Sequence, residues 1–108
     1  MMASQKVSGA SDAPDTFCDA IMTPRVSQIT LGILRDRNAR ALSVSDAEVA
    51  DAIRYAWATH GLVVEPGAAV GLAALIAGKI PPVEDTVVML SGGNVDPALH
   101  ARIIAEAA

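Results

Sequence analysis

The sequence predicts an α/β fold of short parallel strands with packed helices. Two β–turn–α junctions and one amphipathic helix predict it. The first junction is Leu90-Ser91-Gly92-Gly93-Asn94-Val95-Asp96. An apolar run over 86–90 enters it, and Asp96-Pro97, a helix-start pair, leaves it. The second is Val63-Val64-Glu65-Pro66-Gly67, again a brief β run leading into a glycine-bearing helix start. Between the strand candidates lies a helix with a continuous apolar face, Val49, Ala52, Ile53, Ala56 and Trp57, at i, i+3, i+4, i+7 and i+8.

Taken in order, residues 1–14 are rich in Ser, Ala and Gly without periodicity and read as a flexible start. Residues 15–108 form the α/β domain. Thr16-Phe17-Cys18-Asp19-Ala20-Ile21-Met22 is an apolar segment of open type, closed by Pro24, because the residue before proline avoids the α region. A short helix over 27–37 starts at Ser27 and carries Ile29, Ile33 and Leu34. Ala41-Leu42-Ser43-Val44 is a short strand candidate that runs into Ser45-Asp46-Ala47-Glu48. That tetrad is a capping box: Ser45 and Glu48 each satisfy a free N–H of the first turn. His60 sits in the last turn, where a cation suits the dipole, and Gly61 follows as the C′ residue. Both features suit a cap better than a ligand.

Leu62-Val63-Val64 is a brief extended run, and Pro66 then opens a helix to Ala77 that is apolar on every side. A helix without a polar face is buried all round. Gly67 and Gly71 each cost about 1 kcal/mol of helix propensity relative to Ala, so a close neighbour is expected there. Gly78 and a solvated Lys79 close it. Residues 80–85 are a loop with two prolines. The run over 86–90 lacks alternation, as in a strand covered on both faces. Asp96 and Pro97 start the last helix, with Leu99, Ile103 and Ile104 as its apolar stripe and His100 exposed.

Composition narrows the function classes. With 108 residues the chain has the length of one small domain. It is 52% hydrophobic but only 3% aromatic, so its core is built from Ala, Val, Ile and Leu. The net charge is −4, and the only basic cluster is Arg35, Arg37 and Arg40. With Phe17, Tyr55 and Trp57 as the sole aromatics, nucleic-acid binding is disfavoured. The single Cys18 excludes an internal disulfide and suits a reducing cytoplasm. The most apolar stretch, 66–77, is too short to cross a bilayer, and no secretory start precedes the domain, so no membrane role is expected.

Glu65 and Ser91 stand at equivalent places, each after a β run and before a glycine-bearing helix start. If their strands are neighbours, both side chains open into one crevice at the C-terminal edge of the sheet. Gly92 and Gly93 would let the backbone take positive φ and approach a bound group. On spacing alone two simpler readings stay open: a loop that needed glycines to turn, and a carboxylate that only caps a helix.

Val63-Val64-Glu65-Pro66-Gly67-Ala68-Ala69 and Leu90-Ser91-Gly92-Gly93-Asn94-Val95-Asp96 resemble the C-terminal catalytic-domain motifs of the threonine and serine dehydratases. That family includes serine racemase and belongs to the fold-type II (tryptophan synthase β-like) pyridoxal phosphate enzymes. The spacing of the motifs, the Val44-Ser45-Asp46-Ala47-Glu48 helix start, and Asp15-Thr16 with Asp19-Ala20 resemble the family too. The resemblance runs from about Asp15 to the last helix. It implies pyridoxal phosphate as cofactor and a hydroxyamino acid as substrate, converted by α,β-elimination to a 2-oxo acid and ammonia. It further implies that Ser91 hydrogen-bonds the pyridine nitrogen, that Glu65 lies near the ring, and that Gly92 and Gly93 keep one side of the pocket clear. A neutral hydroxyl at that nitrogen makes the cofactor a restrained electron sink, suited to proton loss and β-elimination.

The departures from the family are as informative. A pyridoxal enzyme holds its cofactor on a lysine, which the family carries upstream in a Ser-x-Lys-x-Arg setting. The two lysines here are Lys6, without that setting, and Lys79, after a helix C-cap. The phosphate-binding glycine loop, the upstream asparagine motif and the acidic divalent-cation site have no counterpart either. The expectation is therefore the C-terminal third of a dehydratase catalytic domain, inactive by itself, with an unpaired sheet edge and poor stability alone. The alternatives are one half of a split enzyme and a non-catalytic interaction or regulatory module docking through its apolar helix; the partner expected is a second copy of the chain, as a homo-oligomer, or a lysine-bearing chain.

Overall fold

The computed structural model describes residues 16–21 and 26–106. The expectations for residues 1–14, Lys6 and Pro24 lie outside these. Among the described residues four α-helices follow one another: α1, Gln28–Asp36; α2, Asp46–His60; α3, Val70–Ile76; and α4, Pro97–Ala105. Short 3-10 turns lie at Asp19–Ile21 and Pro66–Ala68.

The helix ends obey local chemistry. The Ser27 hydroxyl accepts from the Ile29 N–H at α1. At α2 the Ser45 hydroxyl accepts from the Glu48 N–H, and Glu48 Oε1 accepts from the Ser45 N–H, a complete capping box. Gly61 ends α2 in the left-handed conformation, at φ 65°. Asp96 caps α4 by accepting from the Ala98 N–H, with Pro97 in the first turn.

Helix α2 is the centre of the core. It packs against α3 and against α4, and Val49, Ala52, Ile53 and Ala56 are buried between them. Small residues on α3, chiefly Ala73, with Leu72, let the two helices approach closely. By contrast, α1 packs against no other described element; only its Leu31 is buried, and Ile29 and Ile33 point outward. Trp57 also departs from expectation: it lies beyond the buried part of α2, 45% exposed, with its ring edge-on to His100 at 5.5 Å.

Three further expectations are corrected. The helix foreseen over 66–77 is two pieces. Ala68 and Ala69 donate to Glu65 and Pro66 in i→i+3 bonds, and regular α geometry begins only at Val70. His100 is buried, 9% exposed, because α4 turns that face onto α2. Lys79 is not free in solvent: its ammonium donates to the Ser43 carbonyl at 2.6 Å and pairs with Glu48 at 2.9 Å, tying the end of α3 to the start of α2.

No strand forms among the described residues, although 41–44, 62–64 and 86–90 were expected as strands. A strand exists through a ladder of bonds to neighbours. Here a single backbone bond, from the Glu65 N–H to the Gly92 carbonyl at 3.1 Å, joins the second run to the turn after the third. Nor is 86–90 covered on both faces. Val88 and Leu90 pack on the core, while Val87 and Met89 are 86% and 72% exposed. That alternation is the period of extended chain with one face covered.

Candidate functional site

Two turns meet at the site. Residues 62–65 come off α2 through Gly61 and end at the Pro66–Ala68 turn. Residues 91–95 follow the 86–90 run and end at the cap of α4, with the Val95 N–H donating back to the Gly93 carbonyl at 2.9 Å. The turns are pressed together at the two glycines. A Cβ on Gly93 would lie 2.5 Å from the Val63 carbonyl oxygen, and one on Gly92 would lie 2.7 Å from Glu65 Oε1. Neither glycine has positive φ; of the glycines among the described residues, Gly61 and Gly78 do. The need for glycine at 92 and 93 is thus close approach of one backbone to the other, not an unusual turn geometry.

Glu65 stands at the N-cap position of the 3-10 turn, yet its side chain makes no capping hydrogen bond. Its carboxylate lies over Gly92 instead. Ser91 is exposed and opens onto a cleft of about 360 Å³ with Gly67, Ala68, Gly71, Thr86 and Val88 among its walls. Gly71 lets the 86–90 run settle on α3, with Val88 Cγ1 3.6 Å from where a Cβ would be. The structure therefore brings Glu65 and Gly92 into contact and puts Ser91 beside them in the chain. Ser91 lines that cleft, and the Glu65 carboxylate sits over Gly92, the next residue.

The donor set limits what this arrangement can hold. The cleft presents one hydroxyl from Ser91, another from Thr86 and otherwise apolar or glycine surface, with no charged side chain in its lining. That suits the flat face and a ring nitrogen of a heteroaromatic group. It offers no ammonium or guanidinium to a phosphate, and no amine to a carbonyl. Lys79, the sole lysine among the described residues, is engaged with Ser43 and Glu48. The described residues thus fit the ring of pyridoxal phosphate but neither its phosphate nor its aldehyde.

Away from the cleft, Cys18 is buried, and burial raises its thiol above the usual range, with Asp46 and Asp19 adding to the effect against a hydrogen bond from Thr16. Thr16 is itself held by the Asp46 carboxylate. The thiol is therefore kept protonated and out of reach. Residues that spacing could not find are Lys79, which ties α3 to α2, and Arg54, which reaches from α2 to α4. Their partners lie 36 and 49 positions away, and no short motif signals them.

Comparison with known proteins gives a consistent set of matches. The family described as "Pyridoxal-phosphate dependent enzyme" matches residues 2–92. Beta-hydroxyaspartate dehydratase of Paracoccus denitrificans is 33% identical over 88 residues, covering 81% of this chain and 28% of that protein. Serine racemase of Schizosaccharomyces pombe is 30% identical over 96 residues, covering 88% of this chain and 30% of that protein. A crystal structure of T.th. threonine deaminase superposes with a TM-score of 0.74 at 31% identity, over 84% of this chain and 31% of that one. The chain spans under a third of the length of each of these proteins.

Proposed function

Because the chain belongs to the pyridoxal-phosphate dependent enzyme family, we propose that it supplies one wall of the cofactor site of a hydroxyamino-acid dehydratase. In this reading it is the C-terminal part of the catalytic domain, and it turns nothing over until a lysine-bearing segment completes the site. That segment belongs to the same polypeptide or to a second one. The observation that carries the reading is the position of Ser91: a neutral hydroxyl at the mouth of an uncharged cleft, on a turn locked to Glu65 through Gly92.

The bound cofactor would supply an electron sink for the bond electrons released at the substrate α-carbon. The part of this chain is narrower. Ser91 would donate a hydrogen bond to the pyridine nitrogen while keeping its own proton, so the ring would stay without a full positive charge there. The Gly92 and Gly93 turn keeps Ser91 at a fixed depth by packing on Val63 and Glu65. The apolar lining, including Val88 and Ala68, excludes water from one ring face. Lys79, the sole lysine among the described residues, is held by Ser43 and Glu48, so the amine that moves the α-proton would come from the completing segment.

The relatives act on threonine, serine or 3-hydroxyaspartate by name, and a small hydroxyamino acid is the substrate class proposed here. The test is product formation from L-serine, L-threonine and L-threo-3-hydroxyaspartate with added pyridoxal phosphate. Ammonia and 2-oxo acid are expected only when a lysine-bearing segment is supplied with the chain. Turnover by the 108 residues alone would overturn the reading.

A further inference from the structure

We propose that Arg54 is a positioning residue for Ser91, acting through α4. The guanidinium Nε donates to the Ile103 carbonyl at 2.8 Å, and Nη1 pairs with Asp51 at 2.7 Å on the same helix. Ile103 lies in the last turn of α4, where carbonyls lack intrahelical partners and a cation is favoured. Among the described elements α4 packs only on α2. The rest of that seam is van der Waals packing of Ile103, Leu99 and Ile104 on the core, with the Trp57 and His100 rings edge-on, none of it directional in the way a hydrogen bond is. The Arg54 bond is directional and charge-assisted, so it fixes where α4 stands along α2.

That placement reaches the site through short, bonded chain. Asp96 caps α4, Val95 bonds back to Gly93, and Gly92 accepts from Glu65. Ser91 is the next residue. A shift of α4 is therefore passed to the 91–93 turn, and the Glu65–Gly92 bond is the joint that feels it first. Calling Ser91 a cofactor residue rests on the proposed function; the mechanical link from Arg54 does not.

The test is amide hydrogen exchange and amide chemical shifts of the whole chain without cofactor. In Arg54→Ala, protection of the Glu65 amide relative to the Ala73 amide, which bonds Ala69 within the α2–α3 core, should fall about tenfold, the worth of one charge-assisted bond. The Ser91 and Gly92 amide resonances should move with it. Arg54→Lys, which keeps a donor for Ile103, should recover most of the loss. Equal loss of protection at Glu65 and Ala73 would make Arg54 a general stabiliser and overturn the proposal. So would unmoved Ser91 and Gly92 resonances. Should Arg54→Ala not fold, Arg54→Met, which keeps the length of the side chain and has no donor, carries the same comparison. Because no cofactor is present, failure here leaves the role of Ser91 standing, and failure of that role leaves this link standing.

Discussion

Glu65 grips Gly92 twice: its N–H donates to the Gly92 carbonyl at 3.1 Å, and its carboxylate occupies the space a Gly92 side chain would need. The neighbouring Gly93 faces the Val63 backbone in the same way. The two glycines therefore meet different obstacles. One is the far end of a flexible side chain and the other is a carbonyl.

Gly93→Ala should cost about 2 kcal/mol, because neither backbone can yield without breaking the junction. Gly92→Ala should cost under about 1 kcal/mol, because the Glu65 carboxylate can swing away. Urea unfolding of the two variants checks the order. Equal costs would mean the turns are not packed as described.

His100 should be improved by losing its polarity. Its Nε2 is buried without a hydrogen-bond partner, against the ring of Trp57. An unpaired buried polar atom costs free energy that an apolar side chain of similar size does not. His100→Leu should raise stability by about 1 kcal/mol, seen as a higher urea midpoint. Trp57 is the only tryptophan, so its fluorescence reports the α2–α4 contact directly.

What the sequence made legible was local. Ser27, the Ser45–Glu48 box, Gly61 and Asp96 act within one turn of themselves, and each caps where its spacing placed it. The buried face of α2 was legible as far as Ala56, since periodicity finds it. Trp57 fits the same period but lies past the neighbours that would cover it. His100, Lys79 and Arg54 take their roles from residues tens of positions away, where no periodicity reaches. Pairing of 86–90 could not be read either, because alternation is a property of what covers a segment. At the site, the closeness of Glu65 to Gly92 follows from equivalent junction positions, whereas the seat of the Glu65 carboxylate over Gly92 depends on side-chain direction.

Acid should loosen the start of α2. The Glu48 carboxyl is held below its ordinary 4.5, first by the Ser45 backbone N–H and then by Lys79. Its folded value is the lower one, so its stabilisation is full above pH 4.5 and fades as pH falls through the folded value. Glu48→Gln should flatten the decline of the urea midpoint between about pH 5 and pH 3. An unchanged acid slope would contradict the Ser45–Glu48–Lys79 tie.

The uncovered face of 86–90 should govern self-association. Val87 and Met89 present adjacent apolar side chains on a segment whose backbone has no ladder partner among the described residues. Such a face is an aggregation hazard. Val87→Lys with Met89→Lys should lower light scattering and remove concentration dependence from the urea transition, leaving the stability within about 0.5 kcal/mol. A lower midpoint would show that the two residues are packed.

The most direct test of the account is an absorbance titration of pyridoxal phosphate into the chain alone, into the chain with the complementary lysine-bearing portion of a relative such as the Paracoccus denitrificans dehydratase, and into the same pair carrying Ser91→Ala. The account predicts a shifted cofactor band only for the pair, with its position or pH dependence altered by the loss of the Ser91 hydroxyl. A shifted band from the chain alone, or a pair indifferent to Ser91→Ala, would contradict it.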